Sequence, residues 1–205
     1  MRTFKSIMSW LVPVLIGLII ALLIKSFWFT FVRVDGPSMQ PNLQNNERVV
    51  CMRHDQIHRG SVIVFNADGV DPQVATNTKY VKRVIGVPGD TVRSKNGNIY
   101  VNGKKVNQNY ISMSERKSGT GNWTLNSIST QNNWLKHNGA TKVPAGEYFV
   151  LGDHRSVSND GRYWGFVPKN KIVGVVKVGF WNKKQPEKSN VNTEYQHYFA
   201  NGSGN

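Results

Sequence analysis

Cysteine, acidic residues and long apolar runs are all scarce in this 205-residue chain. Cys51 is the only cysteine, which excludes an internal disulfide and a zinc site built on several cysteines. One thiol says little about compartment. Acidic residues number 12 against 26 lysines and arginines, a formal charge of +14. Such an excess predicts an anionic neighbour, and nucleic acid, an anionic membrane surface and a charged wall polymer all qualify. Apolar residues make up 39%, below the ~45–50% usual for soluble domains. His54 and His58 are four apart, but Asp55 and Gln56 do not complete H-E-x-x-H. They read as exposed polar residues, and no metal or cofactor is expected.

One apolar run is present, at the N-terminal end. Residues 7–24, IMSWLVPVLIGLIIALLI, carry no charge. A bilayer core of ~30 Å needs ~20 helical residues. The spacing predicts a membrane span over residues 7–27, with Lys25 reaching back to the interface. Trp10 and Trp28 suit interfacial positions. A cleaved signal peptide is the alternative, since Arg2 and Lys5 make a basic start. The run exceeds the ~7–15 apolar residues of such a signal, and its exit, SFWFTFVR, offers no small-residue cleavage site. The segment therefore reads as an uncleaved anchor. Residues 1–6 are expected in the cytoplasm and the remainder outside it, because the short first flank is basic.

Beyond Val32 no helical stripe recurs. Short β-rich runs stand between Gly, Pro and Asn: RVVCM at 48–52, SVIVF at 61–65, YVKRVIGV at 80–87, TVRSKNGNIYV at 91–101, EYFVL at 147–151 and IVGVVKVGFW at 172–181. Asn96-Gly97 and Asn102-Gly103 are hairpin turn pairs. The reading is a mostly β domain over 28–182. Residues 108–142 look like a polar insert or small subdomain, and 183–205 like a loose polar tail whose few aromatics, Tyr195, Tyr198 and Phe199, leave room for local docking. Asn122 and Asn201 begin glycosylation sequons, a pattern common by chance.

Four stretches carry candidate chemistry: GPSMQPNL at 36–43, RGSVIVF at 59–65, YVKRVIGVPGD at 80–90 and GDHRSVSNDGR at 152–162. Each has a plain reading on its own. Ser38 lies between turn prolines, Lys82 is a strand lysine, and the last stretch could be a solvated loop. A serine hydroxyl needs a base before it attacks, and a lysine serves only as the neutral amine. From a reference pKa of ~10.4 it must be buried to approach neutrality. Period-two alternation puts Tyr80, Lys82 and Val84 on one strand face, leaving Arg83 on the other as an exposed partner.

Taken together and in this order behind an apolar anchor, the motifs S-M-x-P, K-R-x-x-G-x-P-G-D and G-D-x-R-x-x-S-x-D-x-R resemble those of bacterial type I signal peptidases in their short Gram-positive form. The resemblance covers the anchor and most of residues 30–181, weakens over 108–142 and stops at the tail. It implies a signal-peptidase-like β domain that works as a serine endopeptidase on exported preproteins. Ser38 would be the nucleophile and Lys82 the general base. Ser158 would orient the lysine by a hydrogen bond, and Met39 and Pro41 would shape the nucleophile turn. Asp153, Arg155, Asp160 and Arg162 would form a supporting polar network, with Arg83 and Asp90 completing the lysine motif. Gly86 and Gly89 would allow tight turns beside it.

The family often has Thr, Asp, Asn and Ser where this chain has Asn42, Ser61, His154 and Gly161. Gly36 lacks the hydroxyl that some members use for the oxyanion, which leaves that task to backbone N–H groups, Ser38's included. The substrate is expected to bind as an extended strand and to carry small residues at the first and third positions before the cut. Membrane lipid is the other expected partner, and nucleic acid is not expected. Three rivals remain: a non-catalytic relative, which should have lost Ser38 or Lys82; a self-cleaving repressor-type Ser/Lys peptidase, which would carry a DNA-binding domain; and a membrane-anchored polymer binder.

Overall fold

The computed structural model describes residues 2–182 and 185–199, with side chains omitted at 2–8, Ile24 and Gln185. The apolar run forms α1, Arg2–Trp28, which passes directly into β1, Phe29–Arg33. There follow β2 (Arg48–Met52), β3 (Val62–Asn66), β4 (Lys79–Gly86), β5 (Val92–Lys95), β6 (Asn98–Val101), β7 (Lys104–Lys105), α2 (Met113–Thr120), β8 (Trp123–Thr124), α3 (Leu125–Gln131), β9 (Glu147–Leu151), α4 (Gly161–Trp164), β10 (Phe166–Pro168), β11 (Ile172–Lys177) and α5 (Gln185–Asn192).

Within α1, Ser9–Trp28 has a mean hydropathy of 2.4, and none of it is buried against the rest of the chain. Leu, Ile and Val stand exposed on all sides of it. A helix that is apolar all round needs an apolar medium, so this helix is long and apolar enough to cross a membrane. The Arg53 N–H donates to the Trp28 carbonyl, and the His54 ring packs on Phe27. His54 thus clasps the helix end. Arg2 and Lys5, on which the expected orientation rests, lie among the side chains not described.

Seven strands form one sheet in the order β1-β2-β11-β3-β4-β9-β10, with the paired neighbours antiparallel. The β-branched run of β3 is buried on both faces. Val62 and Val64 enter one cluster with Met39, Leu43 and Val81, while Ile63 and Phe65 enter the opposite one with Val84 and Val150. Such a strand shows continuous rather than alternating apolarity. A second sheet, β7-β6-β5-β8, packs through Val92, Ile99, Val101 and Trp123 onto Phe149 and Phe166. Its hairpins turn at Asn96-Gly97 and Asn102-Gly103, where all four residues have positive φ, as that turn type requires.

Three expectations change. Residues 108–142, expected to be a polar insert or small subdomain, contribute α2, β8 and α3, and their Trp123, Leu125, Ile128 and Trp134 are core residues shared with Phe149 and Phe166. Residues 185–199 are not a loose tail. Val191 and Tyr198 are each 2% exposed, the Tyr198 hydroxyl donates to the Ile85 carbonyl, and Phe199 bridges to Val106. A few apolar anchors hold an otherwise polar segment down. Residues 183–184 and 200–205, with the Asn201 sequon, lie outside the described residues. Gly86, finally, is no turn. It sits in β4, where a Cβ would press on Val92 and Val143 at about 3 Å. Gly89, at φ +89°, makes the turn.

Candidate active site

Three segments converge. The turn at 37–43 is closed by Gln40 N–H to the Pro37 carbonyl and Leu43 N–H to the Met39 carbonyl. Met39 is wholly buried beneath it, which points the half-buried Ser38 outward over β4. Lys82, on β4, is 4% exposed, and its Nζ lies 2.8 Å from Ser38 Oγ across forty-four residues of sequence. Burial pulls the Lys82 ammonium down from 10.5 to about 8, against the opposing charges of Asp160 and Asp153. The third segment follows β9. The His154 N–H donates to the Ser38 carbonyl at 3.1 Å, and the His154 ring reaches the Pro37 carbonyl at 3.3 Å. His154 therefore clips the main chain of the turn that carries Ser38. Among the described residues the Ser38 N–H donates to no group.

The polar network lies behind the pair. Arg83 is not an exposed partner, because β4 is covered on both faces. It is fully buried and forks onto Asp153 through two 2.7 Å bonds, with its Nη1 reaching the carbonyls of Gly60 and Asn190. Burial opposes its charge, but Asp153 more than compensates and the guanidinium is held more firmly protonated. Asp160 caps α4 and pairs with Arg162, whose Nη2 and Nη1 donate to the carbonyls of Arg155 and Gly119. Arg155 donates to Gln108 Oε1, the Tyr110 hydroxyl and the Gly152 carbonyl. These bonds tie the stretch after Val106 to the third motif.

Some expected members stand elsewhere. The Ser158 Oγ is buried with no hydrogen-bond partner in the structure, so its expected bond to Lys82 is not formed. It packs on Gly152, where a Cβ would collide with both Ser158 and the Ser38 carbonyl oxygen. Asp90 is remote from the pair and holds its own turn, bonded to Arg59, Asn102 and the Val87 N–H. Gly36, at φ +82°, lines the cleft beside Ser38, Lys82 and Tyr80. Sequence reasoning missed Asp71, which accepts from the Tyr80 hydroxyl and from Asn159, both cleft residues. It also missed Tyr110, whose ring lies 4.1 Å from the Arg83 guanidinium carbon. Neither carried a motif signal.

The cleft holds about 330 Å³ and runs from Val32 and Gly36 past Ser38 to Val157. Lys79–Lys82 pair with β3 on one side only, since β9 meets β4 from Arg83 onward. A length of strand edge therefore faces the cleft. No group of three or more potential metal ligands occurs among the described residues.

Residues 7–181 match the family described as signal peptidase, peptidase S26. The protein is a serine peptidase, and so a hydrolase. The chain belongs to the signal peptidase I family, whose members remove signal peptides from preproteins. It is 37% identical over 185 residues to signal peptidase IB of Staphylococcus aureus (strain COL), covering 86% of this chain and 91% of that one. To signal peptidase I S of Bacillus subtilis (strain 168) it is 36% identical over 191 residues, 91% and 95% of the two chains. A crystal structure of a signal peptidase I from Enterococcus faecalis V583 aligns with 59% of this chain and 97% of its own, at 31% identity and a TM-score of 0.49.

Proposed function

We propose that this protein cuts signal peptides from exported preproteins through a Ser38/Lys82 pair, while held in the membrane by α1 with its β domain outside the cytoplasm. The observation that carries this reading is the 2.8 Å approach of a buried lysine amine to the Ser38 hydroxyl. Neutral Lys82 takes the Ser38 proton as Oγ attacks the carbonyl carbon of the last signal-peptide residue. The Ser38 N–H stabilises the tetrahedral oxyanion, a contribution of about 3–4 kcal/mol for a well-placed donor. Protonated Lys82 gives its proton to the leaving amine, the mature chain departs, and an ester remains on Ser38. Lys82 then deprotonates a water that releases the signal peptide.

The strand edge at Lys79–Lys82 supports an extended substrate bound by backbone hydrogen bonds. Small residues at the first and third positions before the cut would fit the confined cleft. The unpartnered Ser158 hydroxyl supports a role for it in accepting a hydrogen bond from the charged lysine. Asp153, Arg155, Asp160, Arg162 and Arg83 hold the two reacting segments in place, Met39 and Gly36 shape the nucleophile turn, and lipid surrounds α1. Ser38 lies ten residues past Trp28, which keeps it beside the membrane exit, where a tethered substrate is locally concentrated.

The test is cleavage of a preprotein with an A-x-A junction by purified protein. Ser38→Ala and Lys82→Met should each abolish it, and His154→Ala should not. Retained cleavage in Ser38→Ala, or loss in His154→Ala with activity kept in Lys82→Met, would overturn the reading.

A further inference from the structure

The family match ends at residue 181, yet the next described segment enters the site's foundations. Asn190, on α5, donates from Nδ2 to Asn42 Oδ1 at 2.8 Å. Asn42 in turn donates from Nδ2 to Asp153 Oδ2 and to the Tyr110 carbonyl, both at 2.8 Å. Asp153 receives the Arg83 fork, and Arg83 returns a bond to the Asn190 carbonyl at 2.8 Å. The four residues form a closed ring in which each amide has one consistent donor and acceptor assignment. Arg83 and Asp153 are wholly buried and Asn42 is 1% exposed, so a missing member leaves polar groups unpaired in the core.

Three members of the ring belong to the segments that carry or hold Ser38 and Lys82. Asn42 follows Ser38 by four residues within the same turn, Arg83 follows Lys82, and Asp153 precedes the His154 N–H that holds the Ser38 carbonyl. Val191, beside Asn190, packs in the cluster that contains Met39 and Val81, the neighbours of Ser38 and Lys82. The α5 segment lies on the Arg83 side of β4, and none of its residues lines the cleft beside Ser38 and Lys82.

We infer that the α5 segment is a positioning strap, and that Asn190, through Asn42 and Arg83, sets the placement of Ser38 against Lys82. The inference rests on the Ser38/Lys82 reading. Small displacements of a nucleophile from its base lower the chemical rate with little effect on substrate affinity.

The test uses full-length protein in detergent with an A-x-A preprotein, and rates normalised to the folded fraction. Asn190→Ala, and the isosteric Asn190→Asp should alanine not fold, are expected to lower kcat about tenfold with KM changed less than about twofold. Asn42→Ala should give a similar loss, and the double variant no further loss, as groups acting as one unit do. Gln196→Ala, exposed four residues beyond α5, should keep wild-type kcat. Wild-type kcat in the Asn190 variants, a change in KM alone, multiplying losses in the double variant, or an equal loss in Gln196→Ala would each overturn the inference, given an inactive Ser38→Ala. An active Ser38→Ala would instead overturn the pair itself.

Discussion

Lys82 and Arg83 are consecutive on β4 and both are buried, yet only Arg83 has a carboxylate within hydrogen-bond reach. Asp153 keeps the guanidinium charged. Lys82, whose hydrogen-bond partner is a hydroxyl, is left to the desolvation that favours its neutral form. One strand thus presents a fixed cation on one face and an available base on the other.

The first consequence is a pH profile. Below about pH 8 the fraction of neutral Lys82 falls tenfold per unit, so kcat/KM should climb with unit slope and level off above that point. Stopped assays between pH 5 and 10 on an A-x-A preprotein check this. A flat profile would remove Lys82 as the base.

The same shift has a stability cost. The folded pKa of Lys82 is below its unfolded value of 10.5, so below about pH 8 both states carry the proton and folding must bury the charge, at a cost of about 3 kcal/mol. Between about pH 8 and 10.5 the unfolded chain binds more protons, and stability rises with pH. Lys82→Met should therefore melt higher than wild type at pH 6, with the difference closing toward pH 10. Equal melting curves at pH 6 would contradict the burial argument.

Breaking the Arg83–Asp153 pair from one side strands a buried carboxylate. Arg83→Met should lose about 3–5 kcal/mol in denaturant unfolding. Adding Asp153→Leu should recover part of that loss, because no charge is then left unpaired. A double variant as unstable as the sum of the singles would show that the pair is not the unit.

Gly152 is held by close approach, not by an unusual φ. A methyl group there meets Ser158 and the Ser38 carbonyl oxygen. Gly152→Ala should destabilise by about 1–3 kcal/mol and reduce kcat by about a hundredfold through displacement of Ser38. Wild-type kcat would mean that the nucleophile turn tolerates the shift.

Glu194 is a buried carboxyl whose Oε1 has no hydrogen-bond partner in the structure. Burial pushes it up from 4.5 to about 7, with Arg83 opposing. Its folded pKa exceeds the unfolded one, so stability falls as pH rises from about 4.5 to 7. Glu194→Gln should melt higher than wild type at pH 8 and alike at pH 4.5. The reverse order would show that Glu194 is used as a charge.

Much of this was legible along the chain. The apolar run, the β-branched strands and the Asn-Gly hairpins follow from local chemistry, because length, side-chain branching and turn φ are local constraints. The resemblance of the ordered motifs to those of signal peptidases is what singled out Ser38 and Lys82. The burial of Arg83 was not legible, since alternation assigns a residue to a strand face but cannot say whether that face is covered. The aromatics of 185–199 left room for docking, but where it docks was not legible for a similar reason: its composition is polar, and Val191 and Tyr198 anchor it only because matching pockets exist far away in sequence.

What the sequence by itself determined is the inventory: one apolar helix, a β-rich body, a serine and a lysine with the residues around them. What the tertiary structure alone decided is which of these meet. The Ser38–Lys82 approach, the lowered lysine, and the ring joining Asn42, Arg83, Asp153 and Asn190 arise from contacts between residues 44 to 148 positions apart. Contacts of that range depend on how strands order and what covers them, and no local preference encodes either.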